Sequence, residues 1–363
     1  MLPTIYARRM SNAAEWLDSL SPWPREGFGL ERMHALLAEL GDPQERYPAV
    51  HVVGTNGKST ATITIEQLLL SEGLSVGSNI SPHIAAWSER IRVGGEEVDF
   101  DEAVARVRPA AERVGATQFE IVTAAAVAAF AAANVDAAVV EAGLGGRLDA
   151  TNVLRTRVVL LTNVGLEHTD VLGDTVEAIA REKLAVAREG SVVVLPDETY
   201  ASFVPGREIV IGGAREAAEA FVGHPIAAEP EVVLPGRLEE REGEVRDGAH
   251  NPDGVRYLLE RLPPGNYTVV ASILGDKDVD AMLGELRRAG PRFVATRSSS
   301  TRALDPAALA ERARGVFDHV EAIEDPLLAL ARAHELGEPV LVTGSLYLLG
   351  DLVQGERRAA WRG

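Results

Sequence analysis

Residues 49–70, AVHVVGTNGKSTATITIEQLLL, combine an apolar strand, a glycine-containing turn and the start of a helix. Gly54 and Gly57 allow backbone N–H groups to converge on an anion, the helix N-terminus adds positive potential, and Lys58 supplies a full charge. The pattern G-x-x-G-K-[ST]-[ST] departs from the strict G-x-x-x-x-G-K-[ST] motif, which has glycine where Val52 stands. The segment therefore predicts a phosphate-binding loop, and it favours nucleotide binding over an ordinary strand-to-helix turn.

Apolar runs that end in glycine and are followed by helical patterns recur along the chain, which is typical of parallel strands joined by crossover helices. Most runs are too apolar for a sheet with one wet face, so we expect helices on both faces. The alanine-rich stretch 124–133 predicts a buried helix. The fold class is therefore α/β, with strands predicted at Ala49–Val53, Ala137–Val140, Val158–Thr162, Ser191–Leu195, Thr268–Ile273, Phe293–Thr296 and Val340–Val342.

A change of character at residues 222–237, VGHPIAAEPEVVLPGR, divides the chain. Three prolines, Pro225, Pro230 and Pro235, follow one another closely there, and helical periodicity is lost. This stretch predicts an interdomain linker at 223–237. It separates a larger domain at 1–222, which carries the phosphate loop, from a smaller α/β domain at 238–363, and both sizes lie near the normal range for domains.

Composition excludes several classes of function. The 363 residues include 36 Lys plus Arg against 54 Asp plus Glu, a formal net charge of −18, which argues against nucleic acid as a partner. Cysteine is absent, so disulfides and thiolate chemistry are excluded. No apolar run is long enough to span a bilayer, and the N-terminal residues lack the apolar core of a secretory signal. We expect a cytoplasmic location and no membrane partner.

Three polar segments follow predicted strands, and parallel α/β sheets gather ligands at the carboxyl ends of their strands. The first, NISPHIAAWSERIRVGG at 79–95, carries Ser81 and His83. The second, DAAVVEAGLGGRLDATN at 136–152, carries Glu141, and the third, VVLLTNVGLEHTDVLG at 158–173, carries Glu167 and His168. A carboxylate at the tip of a buried strand is costly unless it is paired or bound to a cation, so Glu141 is a metal-ligand candidate.

The other two segments leave alternatives open. The first is equally well explained as a solvated loop, and a lone histidine such as His168 is more often a structural residue than a ligand. Magnesium favours oxygen ligands beside nucleotide phosphates, which suits a hydroxyl and a carboxylate, whereas histidine is an unusual ligand for so hard an ion.

Ten segments in colinear order resemble the dihydrofolate synthase/folylpolyglutamate synthase family, whose members are relatives of the Mur peptide ligases. The resemblance extends over most of the chain. The segments are GFGLERM at 27–33, GTNGKST at 54–60, SPHIAAWSERI at 81–91, FEIVTAAA at 119–126, EAGLGGRLDATN at 141–152, EHTDVLG at 167–173, REKLAV at 181–186, DGAHNPDG at 247–254, GDKD at 275–278 and VTGS at 342–345.

The resemblance implies a P-loop, Mur-ligase-type central domain and a smaller C-terminal α/β domain, with catalysis in the cleft between them. It implies that the ATP phosphates are held by Gly54, Thr55, Asn56, Gly57, Lys58, Ser59 and Thr60. The residues that match the family's Mg²⁺ ligands are Ser81, Glu141 and His168. Lys183 matches a lysine that in this superfamily can carry a carbamate made from carbon dioxide.

Further positions are assigned by the same resemblance. Family members hold the pterin and its linked ring at the positions of Phe119, Leu148, Asp149 and Ala150. In the smaller domain, Asn251, Arg302 and His250 match positions that close over ATP, and the resemblance also implies that His250 contacts the substrate. The catalytic set implied is Lys58, Glu141, His168 and Lys183.

The activity implied is the ATP-dependent joining of L-glutamate to dihydropteroate, to a folate, or to both, through an acyl phosphate. Two departures from the family pattern stand out: Ser59 follows Lys58 directly, where the family usually has glycine, and the interval between 181–186 and 234–237 is short. Two other hypotheses stay open. One is a Mur-like amino-acid ligase of cell-wall synthesis, and the other is a nucleotide-binding protein without turnover.

Overall fold

The computed structural model describes residues 12–22, 24 and 27–360, except for the side chains of 358–360. It divides into two compact units, Met1–Val232 and Val233–Gly363. The predicted bounds of the larger domain at 1–222, the linker at 223–237 and the smaller domain at 238–363 stay a prediction. Residues 1–11, on which the expected absence of a secretory signal rests, lie outside the described residues. None of the helices described has the length and apolarity required to cross a bilayer.

The larger unit contains an eight-stranded sheet in the order β4-β3-β2-β5-β1-β6-β7-β8. Strands β2, β5, β1, β6, β7 and β8 are parallel to one another, and β3 and β4 form an antiparallel extension at the β2 edge. The bounds are β1 Ala49–Val53, β2 Val76–Asn79, β3 Ile91–Val93, β4 Glu96–Glu97, β5 Ala137–Glu141, β6 Thr156–Leu161, β7 Val192–Leu195 and β8 Glu208–Ile211.

Helices cover both faces of this sheet. One hydrophobic core joins the alanine-rich helix α5 to α2 and α4, and another packs α3 and α8 against the central strands. The bounds are α1 Asn12–Asp18, α2 Glu31–Glu39, α3 Lys58–Ser71, α4 Phe100–Val114, α5 Gln118–Ala133, α6 Thr169–Leu172, α7 Val176–Leu184 and α8 Ala214–Val222. Burial on both faces explains why β1 and β5 consist almost entirely of apolar residues.

The strand order reverses direction at β1, which lies between β5 and β6. From β1 the chain crosses to β2 on one side, and it later reaches β6 on the other. A crevice forms at the carboxyl ends of strands wherever connections diverge in this way. The phosphate loop, the end of β5 and the loop after β6 therefore meet at one place.

The smaller unit contains a six-stranded sheet in the order β13-β12-β11-β14-β10-β9, parallel except for the β10–β9 pair. Its strands are β9 Glu239–Arg241, β10 Glu244–Arg246, β11 Thr268–Ala271, β12 Arg292–Ala295, β13 His319–Ala322 and β14 Val340–Thr343. Its helices are α9 Pro252–Leu259, α10 Val279–Leu286, α11 Pro306–Ala313, α12 Pro326–Leu336 and α13 Leu346–Ala360.

The predicted fold class is confirmed: both units are α/β, and the larger sheet is mostly parallel. All seven predicted strands occur; Ala49–Val53 coincides with β1, and the ends of the others differ by no more than two residues. The strands that the sequence did not predict are short or polar. Among them is β2, VGSN, which is fully buried although only its first residue has a large apolar side chain.

Candidate active site

The phosphate loop connects β1 to α3. Gly57 precedes the helix with φ of 79°, a left-handed conformation that favours glycine, and this turn places Lys58 at the first position of α3. Lys58 Nζ donates to the carbonyl oxygens of Gly54 at 2.9 Å and Thr55 at 3.0 Å. The loop thus combines a helix N-terminus with a half-buried ammonium group, as the sequence predicted.

Residues of the loop after β6 support the phosphate loop, and sequence reasoning did not identify them. The Asn163 side chain accepts from Asn56 N at 2.9 Å and donates to Asn56 O at 3.1 Å. Thr162 Oγ1 donates to the same carbonyl oxygen at 2.7 Å, and the Thr55 hydroxyl accepts from Gly165 N at 3.0 Å. The sequence did contain a pattern that could have identified them, because Thr162 and Asn163 are the first polar residues after an apolar strand.

Glu141 is the last residue of β5, and its side chain is buried, with 2% of the residue exposed. Its Oε2 atom accepts from the Ser59 hydroxyl at 2.9 Å and from the Ser81 backbone N–H at 2.9 Å. The start of α3, the end of β5 and the segment after β2 therefore meet at one carboxylate. A carboxylate and two serine residues are hard oxygen donors, so this group fits the ligand preference of Mg²⁺.

His168, unlike the buried Glu141, lies in an exposed loop. It precedes the four-residue helix α6 with φ of 46°, and its side chain is exposed. Its charge is one of the influences that lower the pKa of the adjacent Glu167. Within the described residues, no cluster of three or more His, Asp or Glu side chains is arranged to hold a metal ion. The trio Ser81, Glu141 and His168 stays a prediction, and its structural support comes from the first two.

A second lysine reaches the phosphate loop from α7. Lys183 is 1% exposed, and its Nζ atom donates to Gly54 O at 2.8 Å and to Glu167 Oε1 at 2.6 Å. Burial and the nearby Lys58 charge lower the pKa of Lys183 to about 8, against the opposing effect of Glu167. Burial alone would raise the pKa of Glu167, but Lys183 and Lys58 together hold it below its usual value. Two ammonium groups thus converge on one carbonyl oxygen.

The segment after β5 lies against Phe119. A β-carbon at Gly143 would come within 2.5 Å of the Phe119 ring, so only glycine permits this approach. Leu148 is 44% exposed, whereas Ala150 is buried. Phe119 therefore packs against the segment that leads into the turn at 148–150, and the assignment of Phe119, Leu148, Asp149 and Ala150 to the pterin and its linked ring stays a prediction.

Asp149 is buried and serves its own loop. Its carboxylate accepts from Leu144 N at 2.7 Å, from Thr151 N at 3.0 Å and from the Thr151 hydroxyl at 2.5 Å. Burial raises the pKa of Asp149, and these hydrogen bonds oppose the rise. Thr151 Oγ1 also contacts His51 Nε2 at 2.8 Å, and burial lowers the pKa of His51 to about 3. Both oxygens of the Asp149 carboxylate therefore accept hydrogen bonds from neighbouring residues of the protein.

The candidate residues of the smaller unit have partners close by. Asn251 caps α9, with its Oδ1 accepting from Gly254 N at 2.6 Å. His250 Nδ1 lies 2.8 Å from the carbonyl oxygen of Gly248. Arg302 is exposed and donates to Asp276 Oδ2 at 3.1 Å. These contacts shape the surface of the unit and do not by themselves indicate a ligand.

Comparisons with known proteins agree with this architecture. Residues 52–210 match the Mur ligase middle domain, and residues 236–346 match the Mur ligase glutamate ligase domain. A dihydrofolate synthase/folylpolyglutamate synthase of Mycobacterium tuberculosis is 31% identical, with 81% of this chain and 79% of that protein covered. A folylpolyglutamate synthase of Lacticaseibacillus casei is also 31% identical, with 89% and 93% covered. The chain belongs to the dihydrofolate synthase/folylpolyglutamate synthase family.

Solved structures of this family have the same fold. Escherichia coli FolC in complex with DHPP and ADP superposes with a TM-score of 0.87 at 26% identity, covering 97% of this chain and 99% of that one. A bifunctional folylpolyglutamate synthase/dihydrofolate synthase with Mn, AMPPNP and L-glutamate bound gives 0.83 at 28% identity, covering 96% and 98%. The predicted family and enzyme class, a Mur-type ATP-dependent ligase, are confirmed.

Proposed function

We propose that this chain joins the amine of L-glutamate to a carboxylate of dihydropteroate, of a reduced folate, or of both, with ATP consumed through an acyl phosphate. The observation that carries the proposal is the concentration of positive charge at Gly54. The whole chain has a net charge of −18 and only three lysines, Lys58, Lys183 and Lys277. Two of the three donate to Gly54 O. An acidic protein that binds a triphosphate needs such a local positive site.

In this proposal the phosphates of ATP bind the amides of residues 54–60 together with Lys58. Phosphoryl transfer is catalysed mainly by positioning and by charges placed where negative charge develops. Lys58 is suited to this purpose because it starts α3, where its ammonium group adds to the helix N-terminal potential. The assignment of Asn251, Arg302 and His250 to ATP or substrate rests on the family resemblance.

Glu141 and Ser81 are proposed to hold a divalent cation, with His168 completing the set. When bound, Mg²⁺ supplies Lewis-acid stabilisation of charge on the transferring phosphoryl group. The contribution of the chain is a buried Glu141 carboxylate fixed by Ser59 Oγ and Ser81 N. A neighbouring cation offsets the cost of keeping that carboxylate ionised in a buried position.

The reaction needs no nucleophilic side chain. A carboxylate oxygen of the acceptor attacks the γ-phosphorus, the bond to ADP breaks, and an acyl phosphate results. The glutamate amine then attacks the acyl carbon, and the tetrahedral intermediate expels phosphate as the amine loses a proton. Water must be excluded meanwhile, because it would hydrolyse the acyl phosphate. The Phe119 ring and the 148–150 turn are proposed to seat the pterin and its linked ring.

A carbamate on Lys183 is part of the proposal. The neutral Nζ attacks carbon dioxide, a C–N bond forms, a proton leaves, and the cation becomes an anion. A pKa of about 8 keeps about a tenth of the amine neutral at pH 7, far more than for an ordinary lysine. The carbamate cannot keep the two contacts that the ammonium makes with Gly54 O and Glu167, so carbamylation requires Glu167 to move and leaves Lys58 as the ammonium group at Gly54. ¹³C NMR of the protein equilibrated with ¹³CO₂ at neutral pH tests it, with Lys183→Arg as the control, and the absence of a carbamate carbonyl resonance that depends on Lys183 contradicts it.

The acidic charge of the chain supports two further parts of the proposal, which are that nucleic acid is not a partner and that the protein acts on small molecules. A cytoplasmic location is proposed because a chain without cysteine uses no oxidising compartment.

The test of the proposed function is product analysis. ADP release is measured with dihydropteroate or tetrahydrofolate, each with and without L-glutamate, and products are identified by mass spectrometry. We expect glutamate-dependent ADP release with at least one acceptor and a product heavier by one glutamyl residue. ADP release only with UDP-muramoyl acceptors identifies a cell-wall ligase instead. ATP binding without ligation in any panel identifies a nucleotide-binding protein without turnover.

A further inference from the structure

The segment from Ser81 to Arg90, here called the 81–90 loop, is held rigidly between β2 and β3. At its start, the Ser81 amide donates to Glu141. Along its length, the Glu89 carboxylate accepts three backbone N–H groups, those of residues 84, 85 and 86, at 2.7–2.8 Å. A side chain carried by this loop therefore has a fixed position relative to Glu141.

His83 lies in this loop, and its orientation is determined by two neighbours. Arg90 Nε donates to His83 Nδ1 at 3.0 Å, and the centroids of the His83 and Trp87 rings are 4.5 Å apart. The Trp87 ring is itself held by the Arg90 guanidinium, 4.4 Å from its centroid, and by Asp18, which accepts the indole N–H at 3.1 Å. The imidazole can neither rotate nor flip without breaking these contacts.

The contact with Arg90 also determines which ring nitrogen carries the proton. A guanidinium group has only donors, so Nδ1 must accept with its lone pair. The proton of the ring is then on Nε2, which becomes a hydrogen-bond donor. Within the described part of the chain, His83 Nε2 has no partner, and the residue is only partly buried. The protein thus presents one oriented N–H group two residues along the chain from Ser81, whose amide bonds to Glu141.

We propose that His83 Nε2–H donates to the acceptor carboxylate that receives the phosphoryl group, which makes His83 a catalytic residue; this inference rests on the proposed function. The carboxylate must approach the phosphate loop, whose amides and Lys58 are engaged by the ATP phosphates in the proposed function, and Glu141, which is itself an acceptor, so its second oxygen needs a further N–H donor. One of its oxygens attacks phosphorus, and the other accepts from His83.

The same hydrogen bond then serves the second half of the reaction. The oxygen held by His83 becomes the carbonyl oxygen of the acyl phosphate. When the glutamate amine attacks, the C=O electron pair moves onto this oxygen, and the negative charge develops next to Nε2–H. Removing one such donor typically lowers kcat by about 100- to 1,000-fold.

Two variants test the inference. His83→Phe keeps an aromatic ring against Trp87 and removes both nitrogens, so we expect kcat to fall about 100-fold with the KM for ATP nearly unchanged. His83→Gln places an amide N–H near the Nε2 position, and we expect it to recover part of the lost kcat. The exposed His34 on α2 supplies the matched control, since His34→Gln is expected to leave kcat unchanged.

A measurement on the wild-type protein separates contact with substrate from a structural role. Saturating acceptor should shift the ¹H and ¹⁵N resonances of His83 Nε2–H, observed with ¹⁵N-histidine labelling, and leave those of His34 in place. This measurement decides the matter even if His83→Phe does not fold.

The outcomes distinguish the two proposals. If the wild type ligates glutamate but His83→Phe retains a normal kcat, or if the acceptor leaves the His83 resonances unshifted, the inference is wrong and the proposed function stands. If the wild type shows no turnover with any folate, both the proposed function and this inference are wrong.

Discussion

The two sheets of this protein use buried charge in different ways. In the larger unit, Lys183 bonds to a carbonyl group 129 positions away, and Glu141 bonds to a serine 82 positions away. In the smaller unit, Asn251 caps its own helix three positions away, the contact of His250 with Gly248 spans two positions, and Arg302 pairs with Asp276, 26 positions away, at the exposed surface. The smaller sheet also buries Arg246 and Glu244, which pair with each other on one strand, and Arg246 pairs with Glu356 as well.

This difference shows where the structure itself supports a site. Local contacts such as an N-cap are explained by helix formation alone. Long-range contacts between buried ionisable groups carry a desolvation cost, and groups with strongly perturbed pKa values cluster at functional sites. The larger unit therefore provides structural support for its site, whereas the candidates of the smaller unit depend on the family resemblance. Four predictions test this contrast.

The largest effect is expected for Lys58→Ala. The change removes the ammonium group that is proposed to bind the ATP phosphates, so kcat/KM for ATP-dependent ligation should fall by at least about 100-fold. Coupled-enzyme detection of ADP measures it. Arg288→Ala, which removes one exposed positive charge from the smaller unit, should change kcat/KM less than twofold. Similar losses in both variants would show that net charge, and not the phosphate loop, controls the rate.

Glu141→Gln and Glu66→Gln compare two buried carboxylates of the larger unit, Glu141 at the end of β5 and Glu66 on α3. Glu66 accepts from Ser78 at 2.7 Å and pairs with Arg92 at 3.2 Å, so its contacts are structural. We expect Glu141→Gln to lower turnover by orders of magnitude with little loss of stability, because the amide oxygen still accepts from Ser59 and Ser81. We expect Glu66→Gln to lower the free energy of unfolding by about 3 kcal/mol, because Arg92 loses its partner. Near-normal turnover of Glu141→Gln would remove Glu141 from the metal site.

His51 should make stability depend on pH. Its folded-state pKa of about 3 lies below the unfolded value of 6.5, so between these values the unfolded chain binds a proton that the folded chain excludes. The stabilisation is complete above pH 6.5 and is lost as the pH falls, by about 2 kcal/mol at pH 5.

The measurement for His51 is urea unfolding of the wild type and His51→Gln at pH 7.5 and 5.0. The contributions of carboxylates such as Asp149 are common to both proteins and cancel in the difference. The stability advantage of the wild type should shrink by about 2 kcal/mol between the two pH values. An advantage that is equal at both would show that His51 is protonated in the folded state.

The smallest effect concerns Asn251. Asn251→Ala removes the N-cap of α9 and should lower the free energy of unfolding by about 1 kcal/mol. Asn251→Ser restores a capping hydroxyl without the amide. If Asn251 only caps the helix, the serine variant should recover both stability and the KM for ATP. If the KM for ATP stays high in Asn251→Ser, the amide of Asn251 binds ATP. The smaller unit would then also contribute a side chain to the site, contrary to the contrast between the two units.

The extent of the sequence-based prediction follows from the range of the interactions involved. The phosphate loop was predictable because strand, glycine turn and helix start are encoded by adjacent residues at 49–70. The strand β2 was missed because its pattern has no periodicity, and its burial comes from neighbours on both sides. An alignment of 408 residues with the Escherichia coli relative exceeds the 363 of this chain, so the relative carries segments that this chain lacks.

By itself, the sequence determined the α/β class, the phosphate loop and the family, since these depend on local patterns and on the order of motifs. Only the tertiary structure decided that Lys183 meets Lys58 at Gly54, that Asp149 turns inward to Thr151, and that His83 presents its Nε2 proton. Each of these outcomes depends on which distant groups approach within hydrogen-bonding distance. A linear pattern encodes the identity of such groups, whereas strand order and burial decide their partners.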